Sequence, residues 1–498
     1  MTFSRTLRAG ACISALMTAT AVQADVTATQ VWEAWQDGLS QYAGGAQVTT
    51  GNVDDAGDTV TVTDFAMTSD TDGDMLRVRI PQVVFTGAGD GTVAITMSDT
   101  VPVEITSQNG TAMTITVTQT GSAITASGTP DALSYEVAAD QYAISIDSLT
   151  TPEGPVEGDM RITLGSVSGT TATTVDDTRE VSQEMMATTV DLLADITTPD
   201  GGTLMVSGKV DGIALAASSS APADMDLADP MAVFGGDYIA QGSVSTGPTA
   251  YIINAGGEMQ VDGTSTTGPA TMTFAVGPEG LSYEIAVTDP AADLTNSEMP
   301  FPLRLAASSY DIAVKAPVGP TDAPVPFRLL LGLSDVTVND EIWAMFDPTV
   351  ALPRDPATIR LDVSGAAQLD AAIMDPAQAE AMASEPGFPG KIDSLTLNEL
   401  TVDAVGLGVS GTGDFTFDNT DMTTFEGLPN PTGSITIDVT GANALIDKLI
   451  AMGLIPAEQA MMPRMMLGMF ATSTGDDALQ SVIEVKDGQI LANGQRIR

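Results

Sequence analysis

Apolar and polar residues alternate with period two along most of this chain. Val60/Val62, Leu76/Val78/Ile80, Val93/Ile95/Met97, Met113/Ile115/Val117, Met272/Phe274/Val276 and Leu281/Tyr283/Ile285/Val287 all show it. Ile359/Leu361/Val363, Leu395/Leu397, Val405/Leu407/Val409 and Ile483/Val485 continue it. Such alternation marks strands with one face buried and the other wet. Turn dipeptides separate the runs: Asp90-Gly91, Asn109-Gly110, Asp200-Gly201, Asp211-Gly212, Asp262-Gly263, Asp487-Gly488 and Asn493-Gly494. Each is read as a hairpin turn joining antiparallel neighbours. No βαβ rhythm interrupts the pattern, so the fold class is all-β, mainly antiparallel, as an elongated curved sheet or a sandwich.

Helical spacing is confined to a few places. Val31, Trp32, Trp35, Leu39 and Tyr42 form one stripe over 26–43, which predicts an amphipathic N-terminal helix. Near the other end, 441–453 reads as a helix with a glycine stop, and 456–470 as a second helix opened by Pro456. Together they predict a helical hairpin over 441–470. A short helix is also expected within 369–385, broken at Asp375-Pro376. The proline-rich stretch 300–356 suggests a waist or an edge of the sheet. Leu133-Ser-Tyr-Glu-Val-Ala138 and Leu281-Ser-Tyr-Glu-Ile-Ala286 differ at one position, so a body of two related halves is one reading. The expected division is a leader (1–24), an antiparallel β body (25–440), the hairpin (441–470) and a closing β-hairpin (471–498).

The leader changes the reading of everything after it. Arg5 and Arg8 precede a short apolar run from Ala9 to Ala21, and Val22-Gln23-Ala24 offers small residues for cleavage. A cut after Ala24 predicts a periplasmic or secreted protein beginning at Asp25. Cys12, within Ala9-Gly10-Ala11-Cys12, is a poor lipid-attachment site. No later segment carries 18 consecutive apolar residues, so no transmembrane helix is expected.

Composition then removes most chemistries. The chain has 498 residues, 18 Lys+Arg, 65 Asp+Glu and no His, a net charge of −47. Taking away the leader's two arginines leaves 16 basic against 65 acidic residues, or −49. Cys12 is the single cysteine and falls in the leader, so the mature chain has no disulfide, no thiol and no imidazole. Such an acidic surface argues against nucleic acid as a partner. No Gly-x-Ser-x-Gly, Ser-x-x-Lys or phosphate-binding loop is present, and the five lysines (209, 315, 391, 448, 486) are scattered. No catalytic residue and no cofactor site is assigned, and a non-enzymatic role is expected.

Two clusters stand out against that background. Asp70, Asp72 and Asp74 put three carboxylates at alternate positions, a weak Ca²⁺ candidate. The full calcium loop fails, because Met75 and Pro81 stand where its glycine and bidentate glutamate belong; a solvated acidic turn is the plainer reading. Met452, Met461, Met462, Met465, Met466 and Met469 offer thioethers for Cu(I), yet the same spacing makes an ordinary apolar packing face, which is the expectation here.

The most distinctive stretch runs from Ser394-Leu-Thr-Leu-Asn-Glu-Leu through Gly411-Thr-Gly-Asp-Phe-Thr-Phe417, Gly453-Leu-Ile-Pro456 and Met461-Met-Pro-Arg-Met-Met-Leu-Gly-Met469. It closes with Asp487-Gly-Gln-Ile-Leu-Ala-Asn-Gly-Gln-Arg496. It resembles domain-of-unknown-function family 2125, exported bacterial proteins, mainly over residues 390–498. That resemblance implies no activity and no site residues. The functional expectation therefore rests on pattern: an exported envelope protein holding a lipid or other apolar ligand, or an envelope protein partner, on one face of its sheet. The alternative is an acidic scaffold or adhesive surface protein with weak Ca²⁺ binding.

Overall fold

The computed structural model describes residues 25–42, 47–71, 73–225, 237–257, 260–372, 378 and 390–498. Strand makes up 66% and helix 10%, in one antiparallel sheet. No second sheet layer packs over it among the described residues. Of the expected elements, the N-terminal helix is Ala28–Tyr42 and the hairpin is Ala442–Ala451 with Ala457–Phe470. A further short helix, Asp340–Phe346, was not anticipated. The proline-rich stretch is not an edge of the sheet: Val325–Val338 runs through it, paired on both sides. The segment expected as a helix within 369–385 and the leader 1–24 lie largely or wholly outside the described residues.

The unit of this sheet is a long strand bent at its middle. Thr59–Thr71, Asp74–Gly87, Ala132–Thr151, Gly154–Val175, Thr178–Thr197 and Val325–Val338 are six such strands. Between them, 93–106, 112–129, 203–222, 239–256, 261–277, 280–296 and 303–316 follow the same path with a formal break at the corner. The breaks fall at Asp211-Gly212, Gly247-Pro248, Gly268-Pro269, Asp289-Pro290 and similar pairs. Backbone bonds cross them, such as Asp211 N–H to Pro248 O (2.9 Å) and Ala307 N–H to Pro290 O (2.9 Å). Each bent strand pairs with the one before and the one after, a simple meander. Two of the dipeptides read as hairpin turns are therefore something else. Asp211-Gly212 is a corner inside a bent strand, and Asp262-Gly263 lies within Val261–Thr267.

At the corner the apolar pattern steps by three instead of two. Val62 is followed by Phe65, Ala139 by Tyr142, Leu164 by Val167, Ala187 by Val190 and Leu333 by Val336. The extra residue acts as a bulge that bends the strand and keeps the same face inward. Asp64, Ser166 and Asp335 occupy it with left-handed φ of 52°, 46° and 53°. Side chains from both sides of the corner meet accordingly: Ala139, Val167 and Ala187 cluster with Tyr142, Leu164, Met185 and Ile213. The sheet is thus folded into two walls whose apolar faces look into one trough.

Register shows how continuous that inner face is. One row of directly paired residues reads Val60, Phe85, Ile95, Ile124, Val137, Gly169, Met185, Leu215, Val244 and Met272. It goes on through Ile285, Ile312, Leu331, Leu361, Leu400, Gly411 and Ile437. Seventeen strands contribute no polar side chain to it. On the other wall, Met67, Val78, Val103, Ile115, Ile146, Met160, Ala194, Val206 and Ile253 form a second row. The outer face carries the charge. There Arg328 grips Asp362 through two hydrogen bonds (3.0 and 2.9 Å), and Arg360 bonds Asp311 (3.0 Å) and Glu399 (3.3 Å). These partly exposed cross-strand pairs each contribute on the order of 1 kcal/mol.

Candidate functional site

One end of the trough is filled by its own chain. The helix Ala28–Tyr42 turns Val31, Trp32 and Trp35 onto Val60, Val62, Phe65, Val83, Phe85, Val93 and Ile95. Phe85 meets Trp32 at 5.7 Å and Trp35 at 5.2 Å between ring centres. The stripe read from the sequence is right for these residues; the side chains of Leu39 and Tyr42 lie outside the described set. Of the 28 buried apolar residues, 13 belong to this cluster, and beyond Leu133 no buried residue is Ile, Phe, Met or Tyr among those described.

Where the helix ends, the same face opens. A cavity of about 950 Å³ begins at Trp35 and is walled by Phe65, Ile80, Leu133, Tyr135, Val181 and Phe274. Burial pushes the Tyr135 phenol up against a smaller lowering by Trp35, so it stays neutral. Arg179 also lines the cavity and forms no ion pair with any described carboxylate. Further along, Phe274 is 39% exposed, Leu331 44% and Ile359 56%, whereas Phe85 in the same row as Leu331 is fully buried. Apolar side chains are set to face inward by register, and nothing in the described chain covers them.

The floor is smooth for a physical reason. Gly242 lies beneath the ring of Phe274 and Gly208 beneath that of Tyr251; a methyl at either glycine would overlap the aromatic carbons. Large side chains thus lie flat across a cross-strand glycine instead of standing up as ridges. At the corners, polar backbone is satisfied locally, as where Gln119 Nε2 donates to Met97 O (3.3 Å) and Ser98 O (3.1 Å). Both rims consist of hairpin turns rich in exposed acids. Asp131, Asp176, Asp177 and Glu279 lie on one, and Glu153, Asp200 and Glu298 on the other.

The two clusters singled out in the sequence fare differently. Asp70 accepts the Gly73 N–H (2.9 Å), while Asp74 accepts the Ser107 hydroxyl (2.6 Å) and the Gln108 N–H (2.9 Å). Those two bonds hold the Asp74 carboxyl below its usual range. Asp72 lies outside the described residues, and no group of three metal-ligating side chains occurs among the rest. The packing expected of the methionines is not found for five of the six: Met461, Met462, Met465, Met466 and Met469 are 51–70% exposed, while Met452 is half-buried. Their helix instead seats Ala460 and pairs Arg464 with Asp447 of the first helix. Asp477 anchors that first helix by accepting the N–H groups of Asn443 (3.1 Å) and Ala444 (2.9 Å).

Leu133 and Leu281, which open the two echoed hexapeptides, are linked by direct pairing through Thr173, Val181, Ser219, Ala240 and Val276. Both peptides begin a bent strand at the same rim, with Leu133 buried in the helix-capped core and Leu281 37% exposed. Arg179, Tyr135 and Phe274 were not anticipated as a group. The signal that could have found them is the step of three, which fixes the face each residue takes.

No helix among the described residues is long and apolar enough to cross a membrane. Comparison with known proteins finds no matching curated protein and no matching solved structure. The family described as "Uncharacterized protein conserved in bacteria (DUF2125)" matches residues 223–497, which takes in the far half of the trough and the helical hairpin and extends well upstream of residue 390. With more than half of its length matched, the chain belongs to the DUF2125 family.

Proposed function

We propose that this is an exported, non-enzymatic envelope protein that shelters acyl chains on the inner face of its trough. The observation carrying this reading is the inner apolar row, unbroken by a polar side chain over seventeen strands and, among the described residues, covered only at the helix end. A soluble protein that leaves so large an apolar surface bare would aggregate, so the surface has an occupant in the cell. The Arg5/Arg8 leader ending at Ala24 supports export, and exported space is where a stray acyl chain meets water. The Ca²⁺-scaffold alternative draws no support from the 70–74 turn, where Asp74 is already engaged by Ser107 and Gln108.

The test is uptake of an apolar fluorescent fatty acid by delipidated protein. Saturable fluorescence enhancement, reversed by added phospholipid, is expected. Failure of the folded protein to take up the probe refutes the reading.

A further inference from the structure

We infer that the trough holds several diacyl lipids at once, in series, with amine-bearing zwitterionic headgroups at the rims; this rests on the acyl-chain reading above. Length decides the number. Seventeen strands at about 4.8 Å per step make a path of roughly 75–80 Å. A bilayer's hydrocarbon core is about 30 Å thick, so one lipid's chains reach about 15 Å. A single lipid would leave about four-fifths of the row bare, and the row contains no polar residue that would divide a long site from a short one.

Three observations favour lipid over a protein occupant. First, the strands of the row are hydrogen-bonded on both sides, so no edge is free along it for a partner's strand to join. Second, protein interfaces carry about one hydrogen bond per 100–200 Å², and the seventeen-residue row offers no side-chain donor or acceptor, which suits hydrocarbon. Third, Phe274 and Tyr251 lie flat over Gly242 and Gly208 and fill the hollows that a partner's side chains would otherwise enter. Charge then selects the headgroup. Exposed carboxylates at Asp131, Asp176 and Asp177 repel an anionic lipid and attract an ammonium, while Arg179 is placed for the phosphate. The net charge of −47 also opposes a second copy of the chain as the cover.

Delipidated full-length mature protein would be titrated with dioleoyl phosphatidylethanolamine and examined by native mass spectrometry. In parallel, a phosphatidylethanolamine with a photoreactive acyl chain would map contacts by peptide. The inference expects three or more lipids per chain and labels spread from the Phe274 strand to the Leu361 strand. Saturation at one lipid, or labels confined to peptides around Trp35 and Tyr135, overturns it while leaving the acyl-chain reading intact. No bound lipid at all removes both. Met272→Asp with Ile285→Asp should interrupt the path and lower the saturating number without abolishing binding. The same pair changed to Leu should bind like the parent. An Asp pair that leaves the number unchanged also overturns the inference.

Discussion

Truncating two inner-face residues, Leu331→Ala with Ile359→Ala, separates what the fold needs from what an occupant needs. Leu331 is 44% exposed and Ile359 56%, and they lie on neighbouring strands at diagonal positions. Burying such a side chain fully is worth about 1.5–3 kcal/mol, so covering the half still open would yield about 1 kcal/mol each. Losing both removes about 2 kcal/mol of acyl-chain binding, roughly a thirtyfold weaker dissociation constant. The half already buried is lost as well, so lipid-free unfolding falls by a similar ~2 kcal/mol. Displacement of a fluorescent fatty acid measures the first quantity, and urea denaturation of delipidated protein the second. Met186→Ala is the control, because Met186 is 54% exposed but pairs with Ser168 and Ala214 on the outer face. Binding unchanged in the double variant, or weakened as much by Met186→Ala, would refute the assignment of faces.

Further outcomes follow from the same geometry. Phe85→Ala, at a fully buried site between Trp32 and Trp35, should cost about 3–5 kcal/mol in unfolding free energy. Phe274→Ala in the open stretch should cost clearly less while weakening probe binding. Asp477→Ala removes acceptors at the start of the Ala442–Ala451 helix and should loosen the hairpin by about 1 kcal/mol, read by hydrogen exchange of 442–470. Burial raises the Asp477 carboxyl, but the Ala444 and Asn443 N–H groups outweigh it and leave it below its ordinary value. The anchor is therefore fully present above about pH 4 and is lost as pH falls through the lower folded value; an Asp477→Asn variant should show no such acid dependence. Phosphatidylglycerol should bind more weakly than phosphatidylethanolamine at low ionic strength, and the gap should narrow as salt screens the rim carboxylates. Equal affinities at low salt would show that the rims do not select.

The alternation in 60–62, 93–97 and 281–287 was enough to read an antiparallel sheet, because period two has one geometric meaning. The stripe of Val31, Trp32 and Trp35 likewise named the helix and its buried side. What the alternation hid was the corner. Val210 to Ile213 and Val287 to Pro290 break a period-two count and look like strand ends or turns, although the chain only bends there. Gly247-Pro248 and Gly268-Pro269 have the composition of loops for the same reason: proline lacks the N–H a straight ladder needs. The site was less legible still. Whether an inward face is covered depends on a second layer, and no residue in the row from Leu215 to Ile437 says whether one exists. The methionine helix shows the same limit, since its spacing is identical for a packed face and for an exposed one.

The central claim is that the open inner face has hydrocarbon on it in the cell. The full chain expressed with residues 1–24 in a bacterial host, purified from the envelope fraction without detergent and extracted into organic solvent, tests this directly. The account predicts more than one equivalent of phospholipid per chain, rich in ethanolamine headgroups, on a protein whose intact mass begins at Asp25. A folded chain whose extract contains no lipid, and which also fails to take up the fatty-acid probe, would contradict it.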